Sequence, residues 1–116
     1  MTTLFILNDP PYGTERGYNG LRLAGALAGS AGQTVRVFLM GDASLFAKKG
    51  HRLPNGYYNL NRMLDRVAAH QGEIGVCGTC MDARGIASDE LLESAKRSTL
   101  DELARWTTEA DKVIVF

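Results

Sequence analysis

The sequence predicts an α/β domain: a three-layer sandwich in which a mainly parallel sheet of four or five strands is covered by helices on both faces. Two observations carry this reading. Short apolar runs rich in β-branched residues alternate along the chain with segments whose apolar residues recur at helical spacing, as strands joined by right-handed crossovers do. The strand-like runs are also hydrophobic throughout, as befits a sheet buried on both sides. A length of 116 residues suits one such domain, 1–116, and no second core.

Thr3 to Leu7 is apolar and ends at Asn8-Asp9-Pro10-Pro11, where two prolines forbid further ladder pairing, so a buried strand and then a loop are expected. Leu21, Ala24, Leu27 and Ala28 line one face of a first helix, stopped by the glycines between 29 and 32. Thr34 to Met40 reads as the second strand, ended by Gly41-Asp42. A helical turn fits Ser44 to Ala47, and Lys48 through Gly56 reads as loop, the most mobile stretch the sequence predicts. Leu60, Met63, Leu64, Val67 and Ala68 form the apolar stripe of a second helix closed by Gly72. Glu73 to Val76 is a third strand leading into Cys77-Gly78-Thr79-Cys80, with a helix running through Met81 to Arg84. In the tail, Ser88 precedes Asp89 and Glu90, and Ser98 precedes Asp101 by three residues, so two more helices are expected. The second carries Leu100, Leu103, Ala104 and Thr107 on one face, and Lys112 to Phe116 makes a last buried strand.

Thirteen Lys and Arg balance thirteen Asp and Glu, so no positive field draws in nucleic acid or an acidic membrane surface. No apolar run approaches bilayer length and no basic leader precedes the first strand, which points to a cytoplasmic protein. Cofactor motifs are missing as well: Gly13, Gly17 and Gly20 match neither the dinucleotide nor the P-loop spacing. Beside Cys77 and Cys80 the chain offers only His51 and His70, at no zinc-ligand spacing, so no metal is expected.

In an open parallel sheet the ligand crevice lies at the carboxyl ends of the strands. Asn8, Asp9 and Tyr12 follow the first strand, Gly41 and Asp42 the second, and Gly78 and Thr79 the third, making these the candidate substrate-binding residues. Cys77 sits before a helix, where unsatisfied N–H groups favour a thiolate, and Arg84 is a candidate cation for a negative sulfur. Cys77, Cys80 and Arg84 are the candidate catalytic residues. The bland alternative makes Cys77 a small buried hydrophobe and Arg84 a solvated charge. Cys-x-x-Cys spacing also suits a dithiol pair, Cys77 attacking and Cys80 resolving. Asp9 and Asp42 fit either a base near the thiol or a turn cap. Tyr57-Tyr58, just before an amphipathic helix, leans towards a subunit interface.

The segment Cys77-Gly78-Thr79-Cys80-Met81-Asp82-Ala83-Arg84-Gly85 resembles the cysteine segment of the DsrE/DsrF-like family. The opening Asn8-Asp9-Pro10-Pro11-Tyr12-Gly13-Thr14-Glu15-Arg16, the middle Pro54-Asn55-Gly56-Tyr57-Tyr58-Asn59 and the closing 110–116 stretch look like its YchN-like branch. The resemblance thus covers nearly the whole chain and implies the DsrE/F-like sandwich. It also implies sulfur chemistry, because in relay members of the family a cysteine eight residues before the glycine of an Arg-Gly pair carries sulfur as a persulfide. Cys77 stands so to Gly85, whereas Cys80 has no counterpart and Gly78 to Asp82 replace an alanine-rich stretch. A homo-oligomer, trimer or hexamer, and a protein donor or acceptor of sulfur are the partners implied. Three readings follow: persulfide carrier, dithiol redox protein or sensor, and assembly module with inert cysteines.

Overall fold

Leu4, Phe5 and Leu7 of β1 (Thr2–Leu7) and Val37, Phe38 and Leu39 of β2 (Thr34–Leu39) are fully buried, so both faces of the central strands need cover. The computed structural model, which describes residues 1–116, provides it unevenly. With β3 (Glu73–Cys77), β4 (Ala95–Ser98) and β5 (Lys112–Val115), the two strands form one all-parallel sheet in the order β4-β3-β2-β1-β5. Helices α1 (Arg16–Ala28) and α2 (Leu60–Ala69) cover one face, where 20 buried residues make the main core. On the opposite face α4 (Leu100–Glu109) closes a cluster of only five: Leu4, Phe38, Cys77, Leu103 and Trp106. Cys77 therefore belongs to the thinner side of the sandwich.

A 3-10 segment, Gly41–Ala47, replaces the shorter helical turn expected there, and Phe46 in it packs against Gly17 of α1. The stretch that reads as loop is fastened at several points. Asn61 donates to the carbonyls of Phe46 and Lys48 and accepts from the His51 N–H, and Lys48 bridges to Leu91. Asn59 caps α2 by accepting from the Arg62 N–H, satisfying a donor the helix leaves free.

The tail departs from expectation in five ways. Ser88–Glu90 makes one 3-10 turn instead of a helix, and Ala95–Ser98 is a strand. Of those four residues only Ala95 and Ser98 are buried, so this edge strand shows none of the apolar character that marks its neighbours. Thr99, not Ser98, caps α4, its hydroxyl accepting from the Glu102 N–H. The buried face of α4 is Leu103 and Trp106, while Leu100 is 69% exposed and Ala104 and Thr107 also face outward. Lastly, β5 is an exposed edge rather than a buried strand. Its Val113 and Val115, paired with Leu4 and Ile6, lie on the face that α4 covers only in part, at 41% and 62% exposure.

Trp106 meets Phe38 edge-on with centroids 6.1 Å apart and lies under the Arg36 guanidinium, which bridges Glu73 and Glu109 at 2.8 Å each. Its buried indole Nε1 has no hydrogen-bond partner. Trp106→Phe removes that unsatisfied donor along with part of the ring, two effects of opposite sign. It is expected to cost under about 1.5 kcal/mol in a urea titration, against about 3–5 for truncation to alanine.

Candidate functional site

The chain winds β1, β2, β3, β4 in one direction and returns on the far side of β1 as β5, so the order reverses between β1 and β5. That crevice is filled by the chain itself, since the Asn8 backbone N–H and side-chain amide both donate to the Phe116 carbonyl. The open cavity at the carboxyl end of the sheet lies over β3 and β4 instead. It encloses about 440 Å³, with residues 77–80 as one wall, Met40 and Leu100 as an apolar side, and residues 97–99 as the rim.

Cys77 is the last residue of β3, and α3 (Gly78–Ala83) begins at the next residue, earlier than the sequence suggests. Cys77 is 9% exposed. Burial is the largest single influence on it and favours the neutral form. It is outweighed by donors from the following turn: the Cys80 thiol, the Thr79 hydroxyl at 3.3 Å from Sγ, and weaker polar contact with the N–H groups of Cys80 and Thr79. Cys77 is thereby drawn below the ordinary cysteine value. Cys80 moves the opposite way, pushed up by burial and then by the Cys77 thiolate, with the Gly41 N–H and Arg84 pulling back. The two thiols influence each other's ionisation, with the thiolate favoured at Cys77. Such an arrangement offers one thiolate nucleophile with a protonated thiol beside it. Thr79→Val removes the one fully formed hydrogen bond to the thiolate, and the expected result is a Cys77 pKa moved up towards that of a free thiol, read from alkylation rate against pH.

The other candidates divide into those near the cysteines and those held elsewhere. Arg84, the C-cap of α3, donates twice to Asp42 (3.0 and 2.8 Å) and once to the Cys80 carbonyl, so it acts on Cys80 rather than on Cys77. Gly41, at φ +55, belongs to the same cluster: its N–H serves Cys80 and its carbonyl accepts from Ser44. Asn8 lies alongside, its carbonyl facing Gly41. Asp9 turns away to Arg16 at 3.7 Å. Tyr12 also leaves the site, its hydroxyl 2.8 Å from His51 Nδ1 and accepting from the Leu60 N–H. His51 Nε2 lies 3.0 Å from the Leu45 carbonyl, and burial lowers its pKa. The neutral tautomer with hydrogen on Nε2 satisfies both ring nitrogens, leaving none for a ligand. Tyr58 stacks between Tyr12 and Tyr18, while Tyr57 is 69% exposed.

Arg97, Ser98 and Thr99 escape a reading of the sequence because β4 does. The register pairs Cys77 with Ser98 and Val76 with Arg97, which brings the end of β4 to the cavity rim. Arg97 donates to both oxygens of Asp82 at 2.8 and 2.9 Å, and each partner holds the other charged. A threonine followed three residues later by glutamate, Thr99 to Glu102, was the available signal that the helix starts one residue later and frees the preceding segment. Nowhere are three or more His, Cys, Asp or Glu side chains gathered to hold a metal, and no helix is long and apolar enough to cross a membrane.

Comparisons with known proteins agree with this architecture along the whole chain. Protein YchN of Escherichia coli (strain K12) is 40% identical over 114 residues, covering 97% of each sequence. The crystal structure of the E. coli ychN protein superposes with a TM-score of 0.93 at 38% identity, covering 100% of this chain and 99% of that one. The uncharacterized protein MK0008 of Methanopyrus kandleri is 33% identical over 111 residues, covering 96% of this chain and 90% of its own. A protein of unknown function from Methanobacterium thermoautotrophicum, at 14% identity and a TM-score of 0.75, shares the fold. Since the family model for DsrE/DsrF-like proteins matches residues 1–116 and these relatives span nearly the full chain, the protein belongs to the DsrE/DsrF-like family.

Proposed function

We propose that this chain is a cytoplasmic sulfur-handling protein in which Cys77 carries sulfane sulfur as a persulfide. The observation that carries the reading is the opposed polarisation of the two cysteines at one cavity wall, Cys77 drawn towards thiolate and Cys80 held protonated. In the loading step the Cys77 thiolate attacks the outer sulfur of a donor persulfide R–S–SH. A Cys77–S bond forms, the donor S–S bond breaks, RS⁻ leaves with the electron pair, and Cys77–S–SH remains. An acceptor thiolate attacking that outer sulfur completes the transfer. Incubation with excess low-molecular-weight persulfide, followed by mass spectrometry of the intact protein and its peptides, is expected to place one added sulfur on Cys77. Its absence would overturn the proposal.

A dithiol cycle is a second reading, supported by the Cys-x-x-Cys spacing and by the influence of each thiol on the other's ionisation. It requires full, reversible oxidation of Cys77 and Cys80 to a disulfide at a defined potential, with no added sulfur. The third reading, an assembly module with inert cysteines, requires alkylation of Cys77 no faster than that of a buried thiol. Assembly is compatible with all three. A homo-oligomer is proposed from the exposed Tyr57 and the uncovered Leu100, Val113 and Val115, with trimer or hexamer as the size the family resemblance implies, and light scattering at micromolar concentration tests it.

A further inference from the structure

We propose that Arg97 is the anion anchor of the cysteine cavity and selects sulfane-sulfur donors that carry a negatively charged group over uncharged ones. The inference deepens the persulfide reading and rests on it for the nature of the donor.

Arg97 is the one charged side chain among the nine residues that line the cavity, and no carboxylate is among them. Arg84, the cation the sequence offers, is not among the residues lining the cavity and points to Asp42 and the Cys80 carbonyl. Arg97 is held against the backbone of Gly78: a Cβ there would come within 2.9 Å of Cζ, Nε and Nη2. The absence of a side chain at 78 thus lets the guanidinium reach the residue next to Cys77. Asp82 fixes its orientation through one hydrogen on each Nη. A guanidinium has five N–H donors, so the Nε hydrogen and one on each Nη stay free. The side chain is 42% exposed, open to a ligand entering from solvent.

A cation is needed here for a definite reason. The attacking group is a thiolate, and an anionic donor approaching it meets like-charge repulsion within a wall partly built of Met40 and Leu100. Arg97 offsets that repulsion for an anionic donor, placing its charged end at the rim and its outer sulfur towards Cys77. An uncharged donor draws no such benefit.

The test uses two alkylating reagents of nearly the same size, anionic iodoacetate and neutral iodoacetamide. In both reactions the Cys77 thiolate forms an S–C bond and iodide leaves, so their rate ratio is independent of the thiolate fraction. Peptide mass spectrometry assigns the adduct to Cys77. The wild-type ratio of iodoacetate to iodoacetamide is expected to exceed that of a free small thiol, to fall about tenfold in Arg97→Gln, and to recover in Arg97→Lys. Added sodium chloride should lower the ratio in the wild-type protein, which keeps the test informative if Arg97→Gln folds poorly. A wild-type ratio equal to that of a small thiol and insensitive to salt, or one unchanged in folded Arg97→Gln, would overturn the proposal. The two readings fail separately. Failure to take up sulfur with the ratio intact would count against persulfide carriage alone, and sulfur uptake with no anionic preference against the anchor alone.

Discussion

Phe46→Ala is expected to lower the free energy of unfolding by about 3–5 kcal/mol, the range for removing a fully buried aromatic ring. Phe46 has no exposed surface, and its ring meets Gly17 of α1 where no larger residue fits. It anchors the 3-10 segment Gly41–Ala47 to the main core. The same segment presents the Gly41 N–H to Cys80 and Asp42 to Arg84, so loosening it disturbs the second cysteine as well as the core. Urea denaturation with an unchanged slope reads the effect. A loss below about 1 kcal/mol would mean that the cavity left by the ring collapses, and that the segment is held by its backbone and not by this side chain.

The second large effect separates the two cysteines. Cys77→Ser is expected to abolish sulfur loading, whereas Cys80→Ser should retain it and prolong it. In the wild-type protein a Cys80 thiolate can attack the inner sulfur of the Cys77 persulfide, forming the Cys77–Cys80 disulfide and releasing HS⁻. Replacing Cys80 by serine removes that exit. Time courses of the persulfide-bearing protein after removal of excess donor show the difference. Equal loading of both variants would place the sulfur on neither cysteine preferentially and contradict the assigned roles.

The architecture was legible because its central strands are hydrophobic on both sides and α2 carries a clear apolar stripe, Leu60, Leu64 and Val67, all fully buried. The α/β class, the four apolar strands and the position of Cys77 at a strand end follow from those features. The fifth strand was not legible for a physical reason. Ala95-Lys96-Arg97-Ser98 pairs on one side only, with β3, and leaves its two charged residues exposed, so neither periodicity nor composition separates it from a loop. Losing β4 cost the site its rim, since Arg97 and Ser98 reach Cys77 through register and not through sequence proximity. Lys112–Val115 misled in the opposite sense: Val113, Ile114 and Val115 read as buried, but the sheet ends there. Arg84 lies seven residues beyond Cys77 and was a reasonable cation by spacing. Its pairing with Asp42, forty-two residues away, is a tertiary fact.

The central claim is that the fold prepares Cys77 as a thiolate, and the pH dependence of its alkylation tests this most directly. The reagent is neutral iodoacetamide, with the adduct assigned to Cys77 by peptide mass spectrometry. The Cys77 pKa is lowered in the folded protein, so the rate should rise through a midpoint below that of a free thiol, about 8.5, and level off above it. Cys80, whose pKa is raised, should react only at higher pH. In urea the two should converge on the free-thiol value. A folded-state midpoint for Cys77 at or above that value would contradict the account, leaving a buried thiol with no preparation for sulfur transfer.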